Sequence, residues 1–253
     1  MNLGALLRKE WLDALRTHKL LFLLLALVFF GVSQPLATHF MPQILQMSGL
    51  PEGAVIEIPP LPPPAILGQV FDQYRQLGVL FIILAAMGAV SREIELGQAA
   101  VVLTLGYSRA RYLLAKWAVL GLVVVGSVVL GTVAAAYYTQ MLFGPLAWGA
   151  VLVAALSFSL YGLFILGSTL VFSSLLSSQM GVVAASIAVP MGLSLVPLFR
   201  RALAGWLPVH VADLAKVALA QPVPGLWRAA LVTVAWTGLA LFLAHAALRR
   251  REV

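Results

Sequence analysis

Trp117–Phe143 reads WAVLGLVVVGSVVLGTVAAAYYTQMLF, 27 residues without one Asp, Glu, Lys or Arg. As a helix rising about 1.5 Å per residue, it is longer than the roughly 30 Å hydrocarbon core of a bilayer, which about 20 apolar residues cross. A strand reading fails, because the run is too long and lacks sustained alternation. Working outward, five more stretches are long and apolar enough to qualify: 20–37, 74–90, 146–172, 180–199 and 226–247. The second holds an uncharged core of only 14 residues, Leu77 to Val90, and needs Val70 to Gln76 as an extension.

Composition agrees with this pattern. The 253 residues are 62% hydrophobic and 10% charged, with a mean hydropathy of +1.00. Soluble domains run near 45–50% apolar and about 25% charged. So few charges cannot furnish the water-facing surface of a soluble enzyme, and a disordered chain is equally excluded. The expected fold is all-α and integral to the membrane, with residues 1–253 as one transmembrane domain. Sixteen basic against nine acidic residues give +7. The basic residues flank apolar runs, so their partner is anionic membrane lipid and not nucleic acid. The absence of cysteine removes disulfides, thiolate-bound clusters and a thiol nucleophile.

The first 19 residues include Glu10 and Asp13, and no small-x-small site follows the first run, so that run is expected to be retained as a span. Lys and Arg divide 11 to 5 between the two sides, which places both termini and the 91–116 loop in the cytoplasm of a cell-membrane protein. Residues 3–16 plot as an amphipathic helix lying in the headgroup plane. Leu3, Leu7, Trp11, Ala14 and Leu15 share one face, and Lys9, Asp13 and Arg16 the other. Residues 40–73 read as an outer loop, in which Pro59, Pro60, Pro62, Pro63 and Pro64 favour an extended, stiff spacer.

The 91–116 loop reads as helix, glycine turn, helix. Ser91 is placed to cap the first helix, with Glu93 and Glu95 in its first turn. Gly106 ends it, and Ser108 caps the second helix, which carries Arg109, Arg111 and Lys116 into the third span. The apolar middle, Val101 to Leu105, calls for cover from the membrane surface or a partner. Between the fifth and sixth spans, Leu203, Leu207, Val211, Leu214 and Val217 recur at helical spacing, with Pro208 suited to a first turn. A short re-entrant or interfacial helix is expected there.

Several chemistries have no residues to support them. No G-x-x-x-x-G-K-[ST] loop occurs, so the chain itself should bind no nucleotide. The four histidines have no metal-ligand spacing, and no metal is expected. No charged residue stands at the apolar centre of any span, whereas ion-coupled carriers place ionisable groups there. Energy for transport would therefore enter from outside the bilayer. On the fifth span, Ala184, Ala188 and Gly192 form a small-residue face suited to close helix contact, and Pro190 and Pro197 should bend that helix. This face is a candidate dimer seam or gate.

Arg8-Lys9-Glu10-Trp11, the basic approach to the first span, and Glu93-Ile94-Glu95-Leu96-Gly97-Gln98 after the second resemble type-2 ATP-binding-cassette permeases. Leu103 to Arg109 and Leu113 to Lys116 resemble that family's continuation into the third span. Gln98 stands where Thr is usual there, and Gly106-Tyr107 where Pro is common. The resemblance implies a six-span exporter subunit that pairs with a second permease subunit, as a homodimer, and docks on two copies of a cytosolic ATPase. ATP and magnesium would sit on that ATPase. Carried over by position, Glu93, Glu95, Gly97, Arg109 and Lys116 belong to the ATPase-docking loop, and 200–225 to an external gate. A non-transporting anchor or assembly subunit is the competing reading, followed by a membrane-embedded enzyme or self-powered carrier.

Overall fold

The computed structural model describes residues 3–47 and 61–251, which are helical throughout their regular parts and contain no strand. Helix α1 (Leu3–Arg16) turns at Thr17 and His18 into α2 (Lys19–Met47), where His18 takes a left-handed φ of 57°. The second pass is built from α3 (Pro63–Gln73), a π-helical turn at Tyr74–Gly78 and α4 (Val79–Ala86). Two short helices follow, α5 (Ser91–Glu95) and α6 (Gln98–Thr104). The long helices α7 (Arg109–Phe143), α8 (Trp148–Leu175) and α9 (Gln179–Phe199) complete the third to fifth passes. A 3-10 turn (Arg201–Trp206) and α10 (Val209–Val217) precede the last pass, α11 (Leu226–Arg250).

Six of these paths are long and apolar enough to cross a membrane. With six crossings, both ends of the described chain lie on one face of the bundle, here called the terminal face. α5 and α6 share that face, whereas α10 lies on the opposite one.

The helices overrun the sequence-expected spans for identifiable reasons. α2 continues ten residues past Ala37 and contains Pro35 and Pro42. Each proline removes one backbone donor, which a membrane helix tolerates when side chains re-satisfy the freed carbonyls. The carbonyls so freed are those of Gly31 and Thr38; beside them, Thr38 Oγ1 donates to the Gln34 carbonyl at 3.0 Å. The second pass begins at Pro63 and not at Tyr74, which corrects the spacer expected over 40–73. Pro63 and Pro64 occupy the first turn of α3, where missing N–H groups cost nothing, and Pro62 is its extended N-cap. Pro59 and Pro60 lie outside the described residues.

The core is densest where α2 and α7 cross. A Cβ on Gly31 would stand 2.5 Å from the Gly131 carbonyl oxygen, and one on Gly131 would stand 2.5 Å from the Tyr74 hydroxyl. Both positions therefore require glycine. Tyr74 itself is fully buried and donates to the Leu27 carbonyl at 2.9 Å, pinning the π turn against α2. On the opposite face, α10 is clasped to the second pass by Arg75–Asp213 and Lys216–Asp72, each at 2.6 Å. The 3-10 turn breaks the apolar stripe expected over 203–217. Leu203 is exposed while Val209, Val211, Ala212 and Ala215 are buried.

Candidate functional site: a charged node beneath the 91–108 loop

α1 packs on α7 through Leu6, Glu10 and Ala14, spaced four apart and so on one helix face. Of the expected apolar stripe only Ala14 is buried. Leu3, Trp11 and Leu15 point away from the protein, which suits them to lipid. The reason is Glu10, a buried carboxylate drawn inward by Lys116, itself only 2% exposed.

Lys116 Nζ donates to both carboxylate oxygens of Glu10, at 3.1 and 3.0 Å, and lies 2.8 Å from Glu93 Oε1. Lys9 Nζ closes the ring, at 2.8 Å from Glu10 and 2.6 Å from Glu93. Tyr112 lies one turn before Lys116 on the same face of α7 and donates its hydroxyl to Glu93 Oε2 at 2.6 Å. Two carboxylates and two ammonium groups make the node neutral. Each buried charge meets opposite charge and hydrogen-bond partners, as burial demands. Burial alone would depress the Lys9 pKa, but the hydrogen bonds it donates to Glu10 and Glu93, and its proximity to them, outweigh burial and raise the value. Three elements distant in sequence, α1, α5 and α7, are thus joined by charge.

Ser91 does not cap α5. Its hydroxyl donates back to the Met87 carbonyl, and the capping role passes to Ser173 of α8. Ser173 Oγ accepts from the Val90 and Ser91 N–H groups, both at 3.1 Å, and donates to Met87 O at 2.8 Å. Gly97, at φ 70°, breaks the expected single helix into α5 and α6. Gly106, at φ 83°, ends α6, and Ser108 Oγ accepts from the Arg111 N–H, as the sequence suggested.

The sequence-derived loop residues therefore divide in two. Glu93 and Lys116 are buried in the node. Glu95 and Gly97 face outward, together with Leu96, Val101 and Leu105, which are all at least 58% exposed. Arg109 is half-buried and donates to the Arg249 carbonyl at 3.1 Å, tying the start of α7 to the end of α11. Glu10, Lys9 and Tyr112 were missed as node members. The available signals were an acid at the centre of the Leu6–Glu10–Ala14 ridge and the four-residue spacing of Tyr112 and Lys116.

α9 is the least buried of the six passes. Ala184, Ala188 and Gly192 are all exposed on it, Pro190 is half-buried, and a Cβ on Gly192 would meet nothing. Inside the bundle, hydroxyls are largely spent on their own helices. Thr139, Ser159, Thr169, Thr233 and Thr237 each donate to the carbonyl four residues back. Among the described residues, no three His, Asp or Glu side chains converge as a metal site would require.

The family model for "ABC-2 family transporter protein" matches residues 4–207, from α1 through the turn before α10. The chain is also similar to the uncharacterized transmembrane protein YxlG of Bacillus subtilis (strain 168). Identity is 29% over 217 residues, covering 84% of this chain and 83% of that one. The match takes in the node, the 91–108 loop and the exposed face of α9, and the chain belongs to the ABC-2 family of transporter proteins.

Proposed function

We propose that this chain is the permease subunit of an ATP-driven exporter, powered by a separate cytosolic ATPase that docks on the terminal face at residues 91–108. The observation carrying this reading is the pairing of an exposed apolar loop surface with a buried charged node directly behind it. Leu96, Val101 and Leu105 offer a partner apolar area, and Glu95 and Gln98 supply a polar rim. Glu93 leaves that same loop to meet Lys116 of α7 and Lys9 of α1. A push on the loop is thereby delivered to a membrane-crossing helix and to the helix that lies along the membrane.

The interior supports an external engine. Its hydroxyls are mostly bonded within their own helices, and no charged residue stands mid-span, so a coupling ion finds little to hold it. In this reading the terminal face is cytoplasmic, the membrane is the plasma membrane, and ATP and magnesium bind on the ATPase, two copies of which serve a permease homodimer. The exposed Ala184–Ala188–Gly192 face of α9, with Pro190 beside it, forms the seam between permeases. Glu93 and Lys116 transmit force, whereas Glu95 and Gly97 touch the motor.

Reconstitution tests the reading. Proteoliposomes holding the chain together with its co-purified ATPase should move cargo only when given ATP and magnesium. Proteoliposomes holding the chain alone should move none. Uphill transport by the chain alone, or purification without any ATPase, would favour a self-powered carrier or a membrane anchor instead.

A further inference from the structure

Two cavities lie one above the other along α11. The upper one, of 490 Å³, sits on the face opposite the termini, between the 3-10 turn, α10 and the first turns of α11. Trp206, His210, Trp227 and Arg228 contribute to its wall. No acid lines it, and Asp213 on α10 is already engaged by Arg75. Arg228 has no hydrogen bond or ion pair among the described residues; its guanidinium rests against the Trp227 ring at 6.0 Å. Two outward indoles and a free cation characterise the headgroup layer of a membrane.

The lower cavity, of 180 Å³, lies between α8, α9 and α11, with Phe164, Val189, Leu193, Trp236, Leu239 and Leu243 in its wall. Its two polar side chains are spent. Ser168 donates to the Ile165 carbonyl at 2.8 Å, and Trp236 Nε1 donates to the Trp206 carbonyl at 2.9 Å. That second bond links the two walls, because Trp206 lines the upper cavity and Trp236 the lower. From Arg228 to Ala240 the helix rises about 18 Å, close to the depth of one hydrocarbon leaflet at roughly 15 Å.

We propose that these cavities form one site for an anionic phospholipid of that leaflet. Its phosphate lies on the Arg228 guanidinium and the His210 ring, and one acyl chain runs down the apolar slot. Charge complementarity and the stacking of a cationic chamber on a slot with no free donor select this occupant. A free anion would leave the slot unused, and an uncharged hydrocarbon would leave Arg228 unanswered. The inference is independent of any ATPase and would stand if that reading failed.

Native mass spectrometry of the full chain, purified in an uncharged detergent, tests it. The probes are phosphatidylglycerol, phosphatidylcholine of matched chains, and glycerol phosphate. Phosphatidylglycerol should be retained in preference to phosphatidylcholine. Arg228→Gln should lower its retention about tenfold, the scale of one charge-assisted hydrogen bond. Leu239→Trp, an exposed position that narrows the slot, should lower retention of both lipids, and glycerol phosphate should neither bind nor compete. Monodisperse elution of both variants verifies that they are folded. Equal retention of the two lipids, retention unaffected by both substitutions, or binding of glycerol phosphate as tight as that of the lipid would overturn the proposal.

Discussion

Glu10 and Lys116 stand 106 positions apart in the chain, yet the Lys116 ammonium donates to both carboxylate oxygens of Glu10, at 3.1 and 3.0 Å. The pair fixes the surface helix α1 onto the third pass, and Glu93 joins it from the loop between passes two and three. Removing one member of a buried ion pair strands the others. Lys116→Met should therefore destabilise the chain by about 3–5 kcal/mol. Adding Glu10→Gln to that variant should restore much of the loss, because Lys9 and Glu93, 2.6 Å apart, then remain as a matched pair. Thermal unfolding in detergent measures both effects. Full stability of Lys116→Met alone would contradict the burial of the node.

The Tyr112 hydroxyl gives Glu93 a charge-assisted hydrogen bond at 2.6 Å. Tyr112→Phe keeps the ring beside Lys116 and deletes only that bond. The expected cost is about 1.5–3 kcal/mol. ATPase stimulation in the assembled complex should fall as well, since Glu93 is less firmly held. Unaltered stability together with unaltered stimulation would mean that the bond does not form.

Ser173 caps a helix to which it does not belong. Ser173→Ala leaves the Val90 and Ser91 N–H groups without their acceptor, at a cost of about 1–3 kcal/mol. Hydrogen exchange should quicken at these two amides while the centre of α8 stays protected. Unchanged exchange at both amides would contradict the cap.

Gly131 and Gly192 should respond differently to an added side chain. Gly131→Ala drives a methyl group to within 2.5 Å of the Tyr74 hydroxyl and 2.9 Å of the Leu27 carbonyl oxygen, and overpacking of this kind costs about 1–3 kcal/mol. Gly192→Leu enters open space and should leave the stability of the monomeric subunit unchanged. It should nevertheless weaken pairing of permease subunits, measured by mass in mild detergent, if the exposed face of α9 is the seam. An undisturbed dimer would move the seam elsewhere.

Much of the fold was legible because its signals are local. An uncharged run of 27 residues is a span wherever it occurs, and Gly106 and Ser108 mark a helix end and a helix start by their own chemistry. The prolines at 62–64 misled because proline is equally at home in an extended spacer and in the first turn of a helix. The site was half legible. Glu93 and Lys116 stood out as charges beside apolar helices, but burial and exposure within one loop depend on what packs behind it. Glu10 was hidden for the same reason. Its distant partner, Lys116, comes from α7, and an amphipathic plot of α1 sees only α1. Ser173 accepts from the Val90 N–H across 83 positions, which no local pattern encodes.

Docking of a motor on the exposed loop is tested most directly by affinity purification of the full chain from its own membranes. ATP hydrolysis in the eluate should be compared between the natural sequence and a Val101→Ser, Leu105→Ser variant. Both side chains are 60% exposed and touch no part of the node, so the variant should insert and fold normally. The account expects magnesium-dependent ATP hydrolysis to accompany the natural chain and to fall about tenfold or more in the variant, the scale on which lost apolar anchors weaken an interface. Equal hydrolysis from both, or none from either, would contradict it.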